Sequence, residues 1–141
     1  MISLGATMRS LIPVSLLAVL TVSLSGGATP HPIPDATQVV NLTAKRYEFD
    51  PPTIRVKQGT RIQLKITATD HAHGFKISDL PDGGGKPGLV FASSQDCVRI
   101  DEGQSATVEF VAQNPGTYSF RCCVHCGWHH RAMTGEEVVE P

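Results

Sequence analysis

A chain of 141 residues, 40% hydrophobic and 18% charged, has the composition of one globular domain with room for a modest core. Twelve Lys and Arg against thirteen Asp and Glu leave a formal net charge of −1. No basic field exists to draw in phosphates, so charge excludes a nucleic-acid partner.

Residues 1–28 contain a single arginine, Arg9, ahead of the apolar run LIPVSLLAVLTVSL (Leu11 to Leu24) and the small residues Gly26 and Ala28. This is the pattern of a secretory signal peptide. The run is shorter than the ~20 residues a membrane-spanning helix needs and is broken by Pro13. We therefore expect a cut near Ala28, export to the periplasm or the extracellular space, and no membrane span in the mature chain; an uncleaved N-terminus would instead tether it to a membrane. Residues 29–36, TPHPIPDA, are Pro-rich and read as an extended leader. The folded domain is expected over 37–141.

Period-two alternation follows in TIRVK (Thr53 to Lys57) and RIQLKITA (Arg61 to Ala68), where Ile62, Leu64 and Ile66 face one way and Arg61, Gln63 and Lys65 the other. Pro51-Pro52, Gly59, LPDGGGKPG and QNPGT punctuate the chain as turns. Further strands are expected at Val39 to Ala44, Gly74 to Ile77, Cys97 to Ile100, Ala106 to Val111, Thr117 to Cys122 and Glu136 to Val139. Short strands separated by regular turns, with no amphipathic helix, imply an all-β fold: an antiparallel Greek-key β-sandwich of about 100 residues. The Gly-rich segment Asp82 to Gly88 lacks the spacing and the Ser or Thr of a phosphate-binding loop.

The stretch FRCCVHCGWHHRAM, Phe120 to Met133, holds three of the four cysteines and three of the six histidines. Four cysteines in an exported chain would ordinarily pair as two disulfides. Adjacent Cys122 and Cys123 do not readily bridge each other, however, and thiols crowded with His and Met form a ligand composition. On the strand ending at Cys122, Tyr118, Phe120 and Cys122 share the apolar face, so Cys122 points inward and Cys123 away. Donor residues then run Cys122, Cys126, His130, Met133, a C-x3-C-x3-H-x2-M spacing. Two thiols, an imidazole and a thioether are a soft set, suited to copper, compatible with zinc and wrong for magnesium or calcium. A further donor must come from another strand. His73, in TDHAHGF with Asp70 three residues before it, is the candidate.

Together TDHAHGFKI, NPGTYSFRC and CCVHCGWHHRAMTG, entered through YEFDPPTIRVKQG, resemble the cupredoxin domain that carries the binuclear CuA centre in subunit II of haem–copper oxidases and in nitrous oxide reductase. The likeness runs from about Tyr47 to Val139. It implies that Cys122 and Cys126 bridge two copper ions, that His73 and His130 each bind one, and that Met133 and the backbone carbonyl of Val124 are weak ligands, with Asp70 behind His73. A rigid, strand-framed loop would hold that geometry in both redox states, which favours fast electron transfer. The resemblance further implies an electron carrier that is not an enzyme by itself, working with a redox partner such as a cytochrome or another cupredoxin, or within an oxidase-type complex.

The chain departs from oxidase subunits in three respects. It has an export signal where they have paired membrane helices, it lacks the aromatic run that feeds electrons to their centre, and it carries Cys123, His125 and His129 beside the ligand set. A small exported carrier therefore leads. Copper storage or delivery, a mononuclear blue-copper site on His73, Cys126, His130 and Met133, a structural zinc module and a Cys122–Cys126 disulfide stand as alternatives. Cys97 reads as a buried free thiol, with pairing to Cys123 as the lesser reading. His71, His125 and His129 read as solvent-facing or supporting groups, Asp70 as a turn cap or a partner of His73, and Trp128 as a surface where electrons enter or a loop anchor.

Overall fold

The alternation read in Arg61 to Ala68 is the frame on which the rest is hung. The computed structural model describes residues 37–141 apart from Gln95, so the expected signal peptide (1–28) and leader (29–36) lie outside the described residues. The strands are β1 (Thr37–Lys45), β2 (Glu48–Asp50), β3 (Thr53–Lys57), β4 (Arg61–Ala68), β5 (His73–Ile77), β6 (Leu89–Phe91), β7 (Val98–Ile100), β8 (Ser105–Ala112), β9 (Gly116–Arg121) and β10 (Thr134–Glu140). One 3-10 turn, His130–Ala132, interrupts the loop before β10. Among the described residues no helix is long and apolar enough to cross a membrane.

Two five-stranded sheets, ordered β2-β1-β4-β8-β6 and β3-β10-β9-β5-β7, form the expected sandwich. Alternation sends Leu42, Ile62, Leu64, Ile66, Val108 and Phe110 inward from the first sheet and Ile54, Val56, Phe75, Ile77, Tyr118, Phe120 and Val139 inward from the second. Phe49 meets Phe75 and Phe120 edge-on, at centroid distances of 5.9 and 5.3 Å, the arrangement aromatic quadrupoles favour. Glu137 on β10 is also fully buried, and neither carboxylate oxygen has a partner among the described residues. Burial pushes its carboxyl up to about 8.

Most pairings are antiparallel, but β1 runs parallel to β4 and β3 parallel to β10. The chain crosses to the second sheet after β2 and returns after β3, so β4 lies beside β1 on the edge away from β2, parallel to it. Alternation reports which face a residue takes, not the direction of the neighbouring strand. Strands β2 and β6, three residues each, are not marked by alternation; β2 lies within the YEFD that opens the resemblance.

Candidate metal centre

The inward rows of two strands lead to one end of the sandwich. On β5, His73, Phe75 and Ile77 are all buried, and on β9 Tyr118 and Phe120 are followed by buried Cys122. The strands are paired, Lys76 opposite Arg121 and Ile77 opposite Phe120, so His73 and Cys122 emerge side by side. The chain then leaves the sheet and returns as β10, with Thr134 opposite Arg121. Cys122 N–H donates to the Met133 carbonyl at 3.0 Å, closing the base of a loop that begins and ends on sulfur residues. On its returning arm, the 3-10 turn is held by Met133 N–H on the His130 carbonyl at 3.2 Å.

All six residues singled out in the sequence are thereby brought together. Cys122 Sγ lies 3.4 Å from Cys126 Sγ and 3.2 Å from the Val124 carbonyl oxygen, and Cys126 Sγ lies 3.9 Å from Met133 Sδ. Both cysteines are free thiols, buried to 4% and 5% exposure, and their separation is far beyond the ~2.05 Å of a disulfide. The donor atoms of Cys122, Cys126 and His130 all lie within 4.8 Å of one another, as do those of His71, His73 and Cys126. Cys126 belongs to both groups, which places one thiol between two imidazole-bearing sides.

The imidazoles carry the sign of something to bind. His73 Nε2 donates to Asp70 Oδ1 at 2.7 Å, and its Nδ1, like that of His130, is buried without a hydrogen-bond partner among the described residues. Buried polar nitrogens of this kind ordinarily find a partner. With two thiols and a thioether alongside, a soft metal would supply one, and the donor set fits copper. Burial, then the hydrogen bond and proximity of Cys122, push the Cys126 thiol up to about 12, so a metal must displace protons from the free site. Burial opposes ionisation of Asp70, but hydrogen bonds from His73, the Arg46 backbone and His71 outweigh it and hold its carboxyl well below the usual range. Asp70 thus accepts from His73 rather than capping its own turn.

One reading is corrected. Cys97 is exposed, not buried and free, and it forms a disulfide with Cys123. The side chain of Cys123, turned away from the core as alternation requires, lands over Gly74 on β5, where a Cβ would sit 2.7 Å from its sulfur. The pairing of β7 with β5, Phe75 opposite Val98, delivers Cys97 to the same place. Trp128 is 97% exposed and anchors nothing. The anchor is Tyr47: its ring lies 5.2 Å from that of His129, and its hydroxyl fills the space a Cβ on Gly127 (φ 129°) would need. Neither Tyr47 nor the contact of His71 Nε2 with the Cys126 carbonyl at 2.6 Å has a signal in sequence spacing, since each joins residues far apart in the chain. His125 and His129 are exposed.

The model of the cupredoxin-like domain family matches residues 14–139. The chain is 30% identical over 101 residues to cytochrome c oxidase subunit 2 of Thermus thermophilus, covering 72% of this chain and 64% of that one. It is 28% identical over 102 residues to the nitrous-oxide reductase of Stutzerimonas stutzeri, covering 72% of this chain and 14% of that one. It thus spans less than two thirds of these relatives' length. Auracyanin A, a blue copper protein of Chloroflexus aurantiacus, shares the fold with a TM-score of 0.58 at 15% identity, over 74% of this chain and 100% of that one. On the family match and the sandwich that bears it out, the chain belongs to the cupredoxin family, a fold of copper-binding electron carriers.

Proposed function

We propose that this chain carries single electrons through a CuA-type centre, with Cys122 and Cys126 bridging two copper ions, His73 and His130 binding one each, and Met133 and the Val124 carbonyl completing the set. The observation that carries the reading is the pair of buried, unpartnered Nδ1 atoms beside two free thiols 3.4 Å apart. Held by these residues, two copper ions would supply a one-electron redox couple. The chain's own residues do the rest: Asp70 keeps the Nε2 proton of His73 in place and leaves Nδ1 free to bind, and the Cys97–Cys123 disulfide removes a competing thiol. A mononuclear site on His73, Cys126, His130 and Met133 would leave Cys122 buried and idle against Cys126. We assign the domain to an oxidising compartment outside the cytoplasm, after loss of residues 1–28, because a disulfide persists there. It would act as a carrier rather than an enzyme, with a cytochrome or another cupredoxin as partner.

Reconstitution with copper, metal counting and an EPR spectrum on the same sample test this. Two coppers per chain sharing one unpaired electron, with hyperfine splitting from two equivalent nuclei, is the expected result. One copper with splitting from a single nucleus would refute the binuclear reading, and a colourless zinc protein would refute copper altogether.

A further inference from the structure

The proposed ligand set leaves one side chain at the centre without a role. His71 is 21% exposed, sits in the β4–β5 turn and reaches the ligand loop. Its Nε2 is 2.6 Å from the carbonyl oxygen of Cys126, 55 residues away in the chain. The carbonyl oxygen only accepts, so Nε2 donates to it when it carries the hydrogen; Arg46 Nε lies 3.3 Å from the same nitrogen. The other nitrogen, Nδ1, is 2.8 Å from Asp70 Oδ1, the same oxygen that receives the Nε2 hydrogen of His73 at 2.7 Å. The rings of His71 and His73 pack edge to face, with centroids 4.2 Å apart. Asp70 is in turn held by the Arg46 backbone N–H on Oδ2 at 2.8 Å.

We propose, resting on the copper reading above, that His71 is a positioning residue that joins His73 to Cys126 through Asp70 and the Cys126 carbonyl, and so sets how far the two ligands on different elements stand apart. His73 rides on β5, whereas Cys126 rides on the loop between β9 and β10, outside any strand. A direct hydrogen bond to the carbonyl of the ligand residue itself is the shortest mechanical link between them. The consequence is a site whose rigidity depends on a residue that does not bind the metal. Its neighbours on the loop, His125 and His129, are exposed and have no such contact with Cys126 among the described residues.

The test uses the full copper-loaded chain and two variants, His71→Phe, which keeps the ring packing and removes the polar contacts with Asp70 and the Cys126 carbonyl, and His71→Gln, whose amide can still donate to the carbonyl. Copper content, the thiolate-to-copper absorption bands, copper loss to a chelator and the melting of the metal-free protein are read on each. In His71→Phe we expect unchanged copper content, shifted bands and about tenfold faster copper loss, the lower end of what loss of an orienting partner typically brings, with unchanged melting of the metal-free protein. His71→Gln should recover most of the loss rate. Wild-type bands and loss rate in His71→Phe would overturn the proposal. So would faster loss accompanied by an equal weakening of the metal-free fold, which would make His71 merely structural, or a lower copper count, which would make it a ligand. Failure of the copper reading itself is visible separately, as wild-type protein that takes up no copper, and overturns both.

Discussion

Cys122 and Cys123 are neighbours in the chain and opposites in chemistry. Cys122 is buried beside Cys126 as a free thiol, whereas Cys123 is bonded to exposed Cys97. The backbone alternation at the end of β9 separates them: one side chain continues the core row of Tyr118 and Phe120, the other turns over Gly74 toward β7. The lesson is that the sandwich sorts its thiols by face. Inward thiols meet donors and stay available to a metal, and the outward one meets another cysteine and is consumed as a cross-link.

The sharpest break of this contrast is at the inner pair. Cys122→Ser or Cys126→Ser should abolish the two-copper centre while the metal-free fold melts as before; metal counting and EPR check this, and two strongly coupled coppers in either variant would refute the assignment. Next in size is Glu137, a buried carboxyl that has no partner among the described residues where the thiols have each other. Its carboxyl ionises near 8 in the fold and at 4.5 when unfolded, so between these values the folded state holds a proton that the unfolded state has lost. Stability should therefore fall as pH rises from 4.5 to about 8 and then level off, by on the order of 3–5 kcal/mol in total. Glu137→Gln should flatten that slope and stabilise the protein at neutral pH, read from denaturant midpoints across roughly pH 5 to 9. An identical slope in the variant would show that another group governs it.

At the outer pair, replacing Cys97 and Cys123 together by Ser removes a cross-link spanning 26 residues and should cost about 3 kcal/mol, seen as a lowered melting temperature. Copper binding should survive, because neither sulfur belongs to the proposed ligand set; loss of the centre would mean the cross-link also shapes it. The smallest effect is at the hinge of the comparison. Gly74→Ala puts a Cβ 2.7 Å from both Cys123 Sγ and the Val124 nitrogen, and should destabilise by about 1–3 kcal/mol and shift the copper spectrum through displacement of Val124. A spectrum identical to wild type would place Val124 outside the centre.

Much of this was legible in the chain. β3 and β4 occupy the residues their alternation marked, Thr53–Lys57 and Arg61–Ala68. The spacing Cys122, Cys126, His130, Met133 and the upstream His73 named the side chains that the structure gathers. The short β2 and β6 carry no alternation that marks them, and the parallel pairings escaped because alternation is blind to direction. Cys97 was misread because burial was inferred from its place before a strand, while its partner is fixed by the register of β7 on β5.

The division follows the range of the interactions. Sequence alone determined what depends on near neighbours: which residues alternate, which face Cys122 takes, and which donors a single loop can offer. Tertiary structure alone decided what needs two distant segments to meet: that Cys97 finds Cys123, that Asp70 holds His73, that His71 reaches the Cys126 carbonyl, and that Glu137 on β10 is sealed in the core without a partner. Each of these is set by strand register and sheet packing, quantities that residues adjacent in the chain do not encode.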